Sequence, residues 1–118
     1  MDKKTIFIAH PLSGDVLGNA KKVLDICKSI HSKDIIPVAP YLVSIQYLND
    51  EVIEDRVLGI EANLEALQRG YIDEVWLFGD RISKGMEQEI RCALNLDIPV
   101  IPQTEGTKSD FIRFNQNR

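Results

Sequence analysis

The stretch VWLFGDRISKGMEQEIRCA, residues 75–93, decides the fold that we predict for this chain. It begins as an apolar run, passes through the turn residues Gly79 and Asp80, and continues with the spacing of a helix. Continuous apolar runs are typical of parallel strands that are covered on both faces. In an open sheet of such strands, ligands bind at the loops that follow the strands. The stretch therefore predicts a parallel α/β sheet with a ligand crevice beyond Gly79.

The rest of the chain repeats this alternation of apolar runs and amphipathic segments. We predict strands over 5–9, 35–39, 73–79 and 98–102, and helices over 15–32, 50–69 and 84–95. Strands that alternate with helices form a parallel sheet through right-handed crossovers. The predicted fold is an α/β, flavodoxin- or Rossmann-like three-layer sandwich, with a four- to five-stranded parallel sheet in the order 2-1-3-4. Residues 1–118 are predicted to be a single domain, and the tail over 103–118 is not assigned to an element.

Local features of the second strand and the second helix are also predicted. Pro37 places the second strand at an edge of the sheet, because proline has no N–H for the ladder. The apolar loop over 40–49 either covers the core or walls a pocket or a subunit contact. The second helix is capped by Asn49 or Asp50 and closed by Gly70. Its buried stripe is predicted to be Ile53, Val57, Ile60, Leu64 and Leu67.

Net charge, the length of the first apolar run and the cysteine spacing indicate which nucleic-acid, membrane and metal partners to expect. The formal net charge is −4, which argues against a nucleic-acid partner, because such partners require a basic face. The apolar run over 6–9 is too short for a signal peptide or a membrane span, so we expect a cytoplasmic protein without a membrane partner. Cys27 and Cys92 have neither metal-ligand nor CxxC spacing. We therefore expect two buried thiols, no metal site and no cofactor.

The loops after the first and third strands should meet at one crevice, since these strands flank the switch point of the predicted order. The first loop contributes His10, Ser13, Gly14 and Asp15, and the second contributes Asp80, Arg81, Ser83, Gly85 and Glu89. Glycines and two helix N-termini at this place favour a phosphate or a sugar hydroxyl as ligand. Neither GxxxxGK[ST] nor GxGxxG is present, so nucleoside triphosphate hydrolysis and nicotinamide chemistry are poorly supported.

The position of Glu89 in the predicted third helix indicates whether its carboxylate reaches the crevice. It follows Met86 by three residues and precedes Ala93 by four, so it borders the buried stripe. A carboxylate at this place is able to attack an electrophilic carbon, as in glycosyl transfer. The alternative is a surface carboxylate paired with a lysine or arginine. Arg56 and Asn63, seven residues apart on the second helix, share a face that reaches over the crevice, contacts a dimer partner or is solvated.

Two segments carry a resemblance to a known family. The pattern DxVWLFGDxxSxGMxxEIxxA over 73–93, followed by IPVI at 98–101, resembles the nucleoside 2-deoxyribosyltransferase-like superfamily. The opening IFIAHPLSG, residues 6–14, is similar to the first strand and loop of that superfamily. The resemblance spans residues 5–101, and it is nearest to small bacterial and phage members of uncharacterised function.

The resemblance implies a set of site residues. Glu89 matches the glutamate that attacks the anomeric carbon of a nucleoside and holds a covalent glycosyl intermediate. Asp80 or His10 is expected to assist the leaving base as an acid. The expected substrate-binding residues are Ser13, Gly14, Asp15, Ser83, Gly85 and Met86.

The expected function is cleavage or transfer at the N-glycosidic bond of a nucleoside or nucleotide, of the deoxyribosyltransferase or N-glycosidase type. The alternative is a non-catalytic nucleotide-binding protein that senses or sequesters a nucleotide. Members of the superfamily commonly form oligomers in which a neighbour completes the site. The resemblance therefore also implies a homo-oligomer, either a dimer or a tetramer.

Overall fold

The computed structural model, which describes residues 2–117, contains a four-stranded parallel sheet flanked by helices. The strands are β1 (Lys4–Ala9), β2 (Ile35–Val38), β3 (Glu74–Leu77) and β4 (Val100–Pro102). Their order is β2-β1-β3-β4, which confirms the predicted α/β topology. Ile6 pairs with Pro37 on one side and with Glu74 on the other. Because β2 is an edge strand, Pro37 is tolerated there as predicted.

Helices connect the strands and follow the last one. They are α1 (Val16–Ile30), α2 (Tyr41–Ser44), α3 (Ile53–Gln68), α4 (Lys84–Asn95) and α5 (Glu105–Gln116). Asp15 caps α1 by accepting a hydrogen bond from the Gly18 amide at 3.0 Å. Ser83 caps α4 in the same way, through the Met86 amide at 3.2 Å. Gly70, with φ +84°, closes α3 in the left-handed conformation that glycine favours.

The core is centred on β1 and β3. Four successive residues of β1 are fully buried, because helices cover both faces of this central strand: Ile6, Phe7, Ile8 and Ala9. The stripe of α4 is buried against them through Met86, Ile90 and Ala93, as its spacing predicts. The buried positions of β1 and α4 therefore agree with the apolar pattern of the sequence.

Two expectations for the second helix are wrong. The residue that caps α3 is Val52, which makes no side-chain cap, while Asn49 Oδ1 accepts from the Glu51 amide in the preceding turn. The predicted stripe is not buried at its start, since Ile53 is 73% exposed and Val57 is 47% exposed. The physical reason is that α3 borders a cavity at this end. The residues of α3 that line this cavity are Asp55, Arg56, Gly59, Ile60 and Asn63, and of these five only Ile60 belongs to the predicted stripe.

The apolar loop after β2 is partly helical. Within it, α2 buries Tyr41, whose hydroxyl donates to the Ile8 carbonyl oxygen and whose ring lies 6.3 Å from that of Phe7. Val43 and Tyr47 point outward and are 65% and 72% exposed. The segment therefore covers the core on one side and leaves an apolar surface on the other.

The unassigned tail forms α5, which packs against the loop that follows β3. Thr104 donates from Oγ1 to the Gly79 carbonyl oxygen at 2.6 Å. Asp110 Oδ2 accepts from the Ile82 amide at 2.9 Å. These bonds fix the backbone at both ends of the segment between β3 and α4. The start of α4 is therefore held by a helix that lies later in the chain.

The remaining predictions concern membranes and thiols. No helix within residues 2–117 is long and apolar enough to cross a membrane. Cys27 and Cys92 are free and half-buried, whereas full burial was predicted. Partial burial raises the pKa of both thiols above their ordinary value.

Gly106 provides a test of the contact between α5 and the loop after β3. A Cβ atom at Gly106 would lie 2.0 Å from the Asp80 carbonyl oxygen. We expect Gly106→Ala to lower the free energy of unfolding by about 1–3 kcal/mol, because α5 must move away from the loop. Urea unfolding measures this change.

The matched control is Gly59→Ala, at another helical glycine. There the added Cβ would lie 3.7 Å from Leu48 Cδ1, an ordinary contact. Removing the backbone freedom of this glycine should stabilise α3 by about 0.5–1 kcal/mol. Equal stability of Gly106→Ala and the unsubstituted protein would contradict the packing of α5 described here.

Candidate functional site

A cavity of about 660 Å³ lies beyond the carboxyl ends of β1 and β3. We call it the main cavity, and its lining comes from four segments, 10–13, 41–48, 50–63 and 81–89. Its volume is that of a typical small-molecule site. Both of the loops that were predicted to meet at the crevice contribute to its wall. The switch point of the sheet therefore places a ligand-sized space where the strand order predicts it.

The main cavity brings together most of the predicted site residues. Those that line it are His10, Ser13, Ser83, Gly85, Met86 and Glu89. The others, Gly14, Asp15 and Asp80, line a second cavity of about 410 Å³. The two cavities share His10, Ser13 and Arg81.

Two of the predicted carboxylates have other partners. The side chain of Asp80 is 82% exposed and pairs with Arg81 at 3.0 Å. The carboxylate of Asp15 accepts from the Gly18 amide as the cap of α1. The structure therefore does not bring these two acids together with Glu89. The sequence pattern grouped them because all three follow strand ends, but it carries no information on which side of the His10 loop each side chain lies.

Glu89 is buried in the wall of the main cavity, with 8% of its surface exposed. The alternative of a solvated surface carboxylate is therefore wrong. Its Oε2 accepts a hydrogen bond from Asn63 Nδ2 at 3.3 Å. Its Oε1 accepts none within residues 2–117, and this atom retains surface on the cavity.

Burial controls the protonation of this carboxyl group. It raises the pKa of Glu89 from the ordinary 4.5 to about 8, because the charged form loses its hydration. No lysine or arginine of the described part forms an ion pair with it. The protonated form is therefore the major one at neutral pH in the free protein.

His10 forms part of the wall of both cavities and is 9% exposed. Its Nδ1 lies 2.6 Å from the Pro11 carbonyl oxygen. A carbonyl oxygen only accepts hydrogen bonds, so Nδ1 carries a proton. In the neutral ring Nε2 is then an acceptor, and no residue of the described segments bonds to it. His10 is the predicted acid that shares the main cavity with Glu89.

Two residues of the main cavity were not predicted as site residues. Tyr41 is 4% exposed, and its pKa lies well above the usual range because of burial and the neighbouring Glu89 carboxyl, so it stays protonated. Asn63 contacts Glu89, which contradicts the solvated-face interpretation of this residue. The seven-residue spacing of Arg56 and Asn63 was the available signal, since both line the cavity.

Possible metal ligands are the next feature of the site. Across the part of the chain that the structure describes, no group of three or more His, Cys, Asp or Glu side chains is arranged to hold a metal ion.

The raised pKa of Glu89 predicts how stability depends on pH. Between pH 4.5 and about 8 the folded protein keeps a proton that the unfolded chain releases. The free energy of unfolding should therefore fall as the pH rises through this window, by about 1.4 kcal/mol per pH unit from this group. Glu89→Gln cannot ionise at this position, so its free energy of unfolding lacks this decrease. The difference in free energy of unfolding between Glu89→Gln and the unsubstituted protein should therefore move in favour of the variant from pH 5 to pH 8, as measured by urea unfolding.

The control for this measurement is Glu65→Gln on α3. The Glu65 side chain is 54% exposed and pairs with Arg69. A pair of this kind contributes little, so this variant should follow the pH profile of the unsubstituted protein. Parallel profiles for Glu89→Gln and the unsubstituted protein would show that Glu89 is not desolvated.

Comparison with known proteins yields a family but no described activity. The family model described as a domain of unknown function (DUF7768) matches residues 4–102, from the start of β1 to the end of β4. No curated protein and no solved structure matches the chain. The match includes every residue named above as lining the main cavity, while α5 lies beyond it. The chain belongs to the DUF7768 family.

Proposed function

We propose that the main cavity binds a nucleoside or nucleotide and that Glu89 attacks its anomeric carbon, cleaving or transferring the N-glycosidic bond. The observation that carries this proposal is the Glu89 carboxyl group, buried to 8% exposure and open to the cavity at Oε1. Burying an ionisable group without an ion-pair partner costs stability, and such groups cluster at functional sites. The resemblance to the nucleoside 2-deoxyribosyltransferase-like superfamily supplies the substrate class, and it stays a prediction.

The proposed reaction has two steps at one carbon atom. The Glu89 carboxylate forms an ester bond to the anomeric carbon as the C–N bond breaks, and the electron pair leaves with the base. His10 is the proposed acid because it shares the cavity with Glu89: in its imidazolium form Nε2 carries the proton that passes to the base, and Nδ1–H stays on the Pro11 carbonyl oxygen. Water or a second base then attacks the same carbon and releases the carboxylate. The incoming nucleophile gives its proton to the neutral His10 ring, which restores the imidazolium form.

Polar groups around the cavity suit the rest of such a substrate. Ser13 and Ser83 offer hydroxyl groups, and Gly85 lies in the first turn of α4, where helix amides are free to donate. Arg56 and Lys84 also line the cavity. We propose that these groups bind sugar hydroxyls or a phosphate, since each is a donor suited to oxygen acceptors.

A second candidate function has its own support in the structure. At neutral pH Glu89 is mainly protonated, and Asp80 lies outside the main cavity. A neutral carboxyl group donates a hydrogen bond but is a poor nucleophile. The same cavity would then hold a nucleotide without cleaving it, as in a sensor or a sequestering protein.

The expected oligomer is also a proposal. Apolar side chains are exposed on α2, on α3 and between them, including Val43, Tyr47, Ile53 and Val57. They stand beside segments that line the main cavity. We propose that this face contacts a second copy of the chain, since large exposed apolar patches mark interaction sites.

Base release from a panel of nucleosides and nucleoside monophosphates tests the enzymatic function. The unsubstituted protein should release the base of at least one of them, detected by mass spectrometry. Glu89→Gln should reduce turnover by at least about a thousandfold, because the amide cannot form the glycosyl ester. It should retain the thermal shift given by the same ligand.

The pH profile and a matched control sharpen this test. If Glu89 attacks as a carboxylate, the ascending limb of kcat/KM against pH should have its midpoint near pH 8, where the group ionises. Glu65→Gln, outside both cavities, should keep the unsubstituted rate. A thermal shift without any released base would support the binding protein instead.

A further inference from the structure

The Glu89 carboxyl group has two oxygens in different environments. Oε2 accepts the hydrogen bond from Asn63 Nδ2 at 3.3 Å, and Oε1 is open to the main cavity. We propose that Asn63 is the positioning residue of Glu89, holding Oε2 through its amide so that Oε1 faces the ligand. This inference rests on the proposed function for its catalytic consequence, but the contact itself is independent of any activity.

The amide of Asn63 has an unfavourable environment of its own. Its Oδ1 is buried and has no hydrogen-bond partner, and within the described residues it is the one buried side-chain polar atom in this state. A buried acceptor without a partner destabilises a folded protein. An apolar side chain would avoid this cost at the same place on α3. The favourable contribution of Asn63 is therefore its bond to Glu89.

Other groups around Glu89 do not replace this bond. The titratable or charged side chains that line the cavity besides Glu89 are His10, Tyr41, Asp50, Asp55, Arg56, Arg81, Lys84 and Glu87. The Tyr41 hydroxyl donates to the Ile8 carbonyl oxygen, and Arg56 is engaged by Asp50. Among the side chains of residues 2–117, Asn63 is the hydrogen-bond partner that Glu89 has.

A donor on Oε2 affects ionisation as well as position. An N–H group stabilises a carboxylate more than the neutral acid, so it favours the charged form. We therefore expect the Asn63 amide to oppose the effect of burial on the pKa of Glu89. Without the amide, a larger fraction of Glu89 would stay protonated at neutral pH, and the remaining carboxyl group would be free to rotate.

Asn63→Leu tests this role directly, because it removes the donor and keeps a similar volume. The titration of the Glu89 carboxyl carbon, followed by ¹³C NMR in the ligand-free protein, should move to higher pH by about one to two units. The thermal midpoint should stay the same or rise, since the unpaired Oδ1 is also removed. The control Gln68→Leu adds a leucine to α3 outside both cavities and should leave the titration unchanged.

A second variant guards against misfolding of the first. Asn63→Ala removes the donor without adding bulk, and it should shift the Glu89 titration in the same direction. An unchanged Glu89 pKa in either folded variant would overturn the proposal. A shift of the same size in the Glu89 titration of Gln68→Leu would also overturn the proposal.

The activity measurement separates this proposal from the proposed function. If the unsubstituted protein releases a base, Asn63→Leu should lower kcat/KM at pH 7 by about ten- to a hundredfold and move its pH profile upward with the Glu89 titration. A loss of activity with an unmoved profile would contradict positioning through Glu89. If no base is released at all, the proposed function fails, while the NMR titration still decides the role of Asn63.

Discussion

A buried carboxyl group at the switch point of the sheet is the constraint on which the rest of the site depends. Glu89 is 8% exposed and is held by one hydrogen bond of 3.3 Å. Its desolvation raises its pKa to about 8, which makes its charge sensitive to any ligand that enters the main cavity. A cation or a hydrogen-bond donor in the ligand favours the carboxylate, and an apolar group favours the acid. The cavity therefore links ligand chemistry to the reactivity of this group.

The fold holds this carboxyl group through contacts that are distant in sequence. The Ser83 cap determines where α4 begins, and the buried stripe of α4 determines which face of the helix is turned inward. Together they position the Glu89 side chain. Behind the start of α4, α5 fixes the preceding loop through the bonds of Thr104 and Asp110 to backbone atoms. On the opposite wall, α3 carries Asn63. Small shifts in any of these elements would change which atoms surround Oε1.

The sheet and its order were predictable because they depend on apolar periodicity and chain order. Spacing placed Glu89 only at the border of the stripe of α4 and left a surface carboxylate as the alternative, so its burial was not determined by the sequence. The orientation of α3 was not predictable in this way. Its stripe pattern pointed to Ile53 and Val57 as core, but the neighbouring space is a cavity, so its polar side faces inward instead. The separation of Asp80 from Glu89 was also missed, because it depends on the His10 loop standing between the two cavities. The tail was not assigned to an element because only part of its contact with the domain is apolar. Phe111 and Phe114 pack against the core, while Thr104 and Asp110 bond to backbone atoms that no sequence pattern identifies.

The proposed function requires that Glu89 become covalently attached to a sugar. Its most direct test is acid quenching of the protein during steady-state base release, followed by peptide mapping with mass spectrometry. We expect the peptide that contains Glu89 to be heavier by the mass of the bound glycosyl group, with no such change in other peptides. An unmodified Glu89 peptide throughout turnover, or a glycosyl group on another residue, would contradict it.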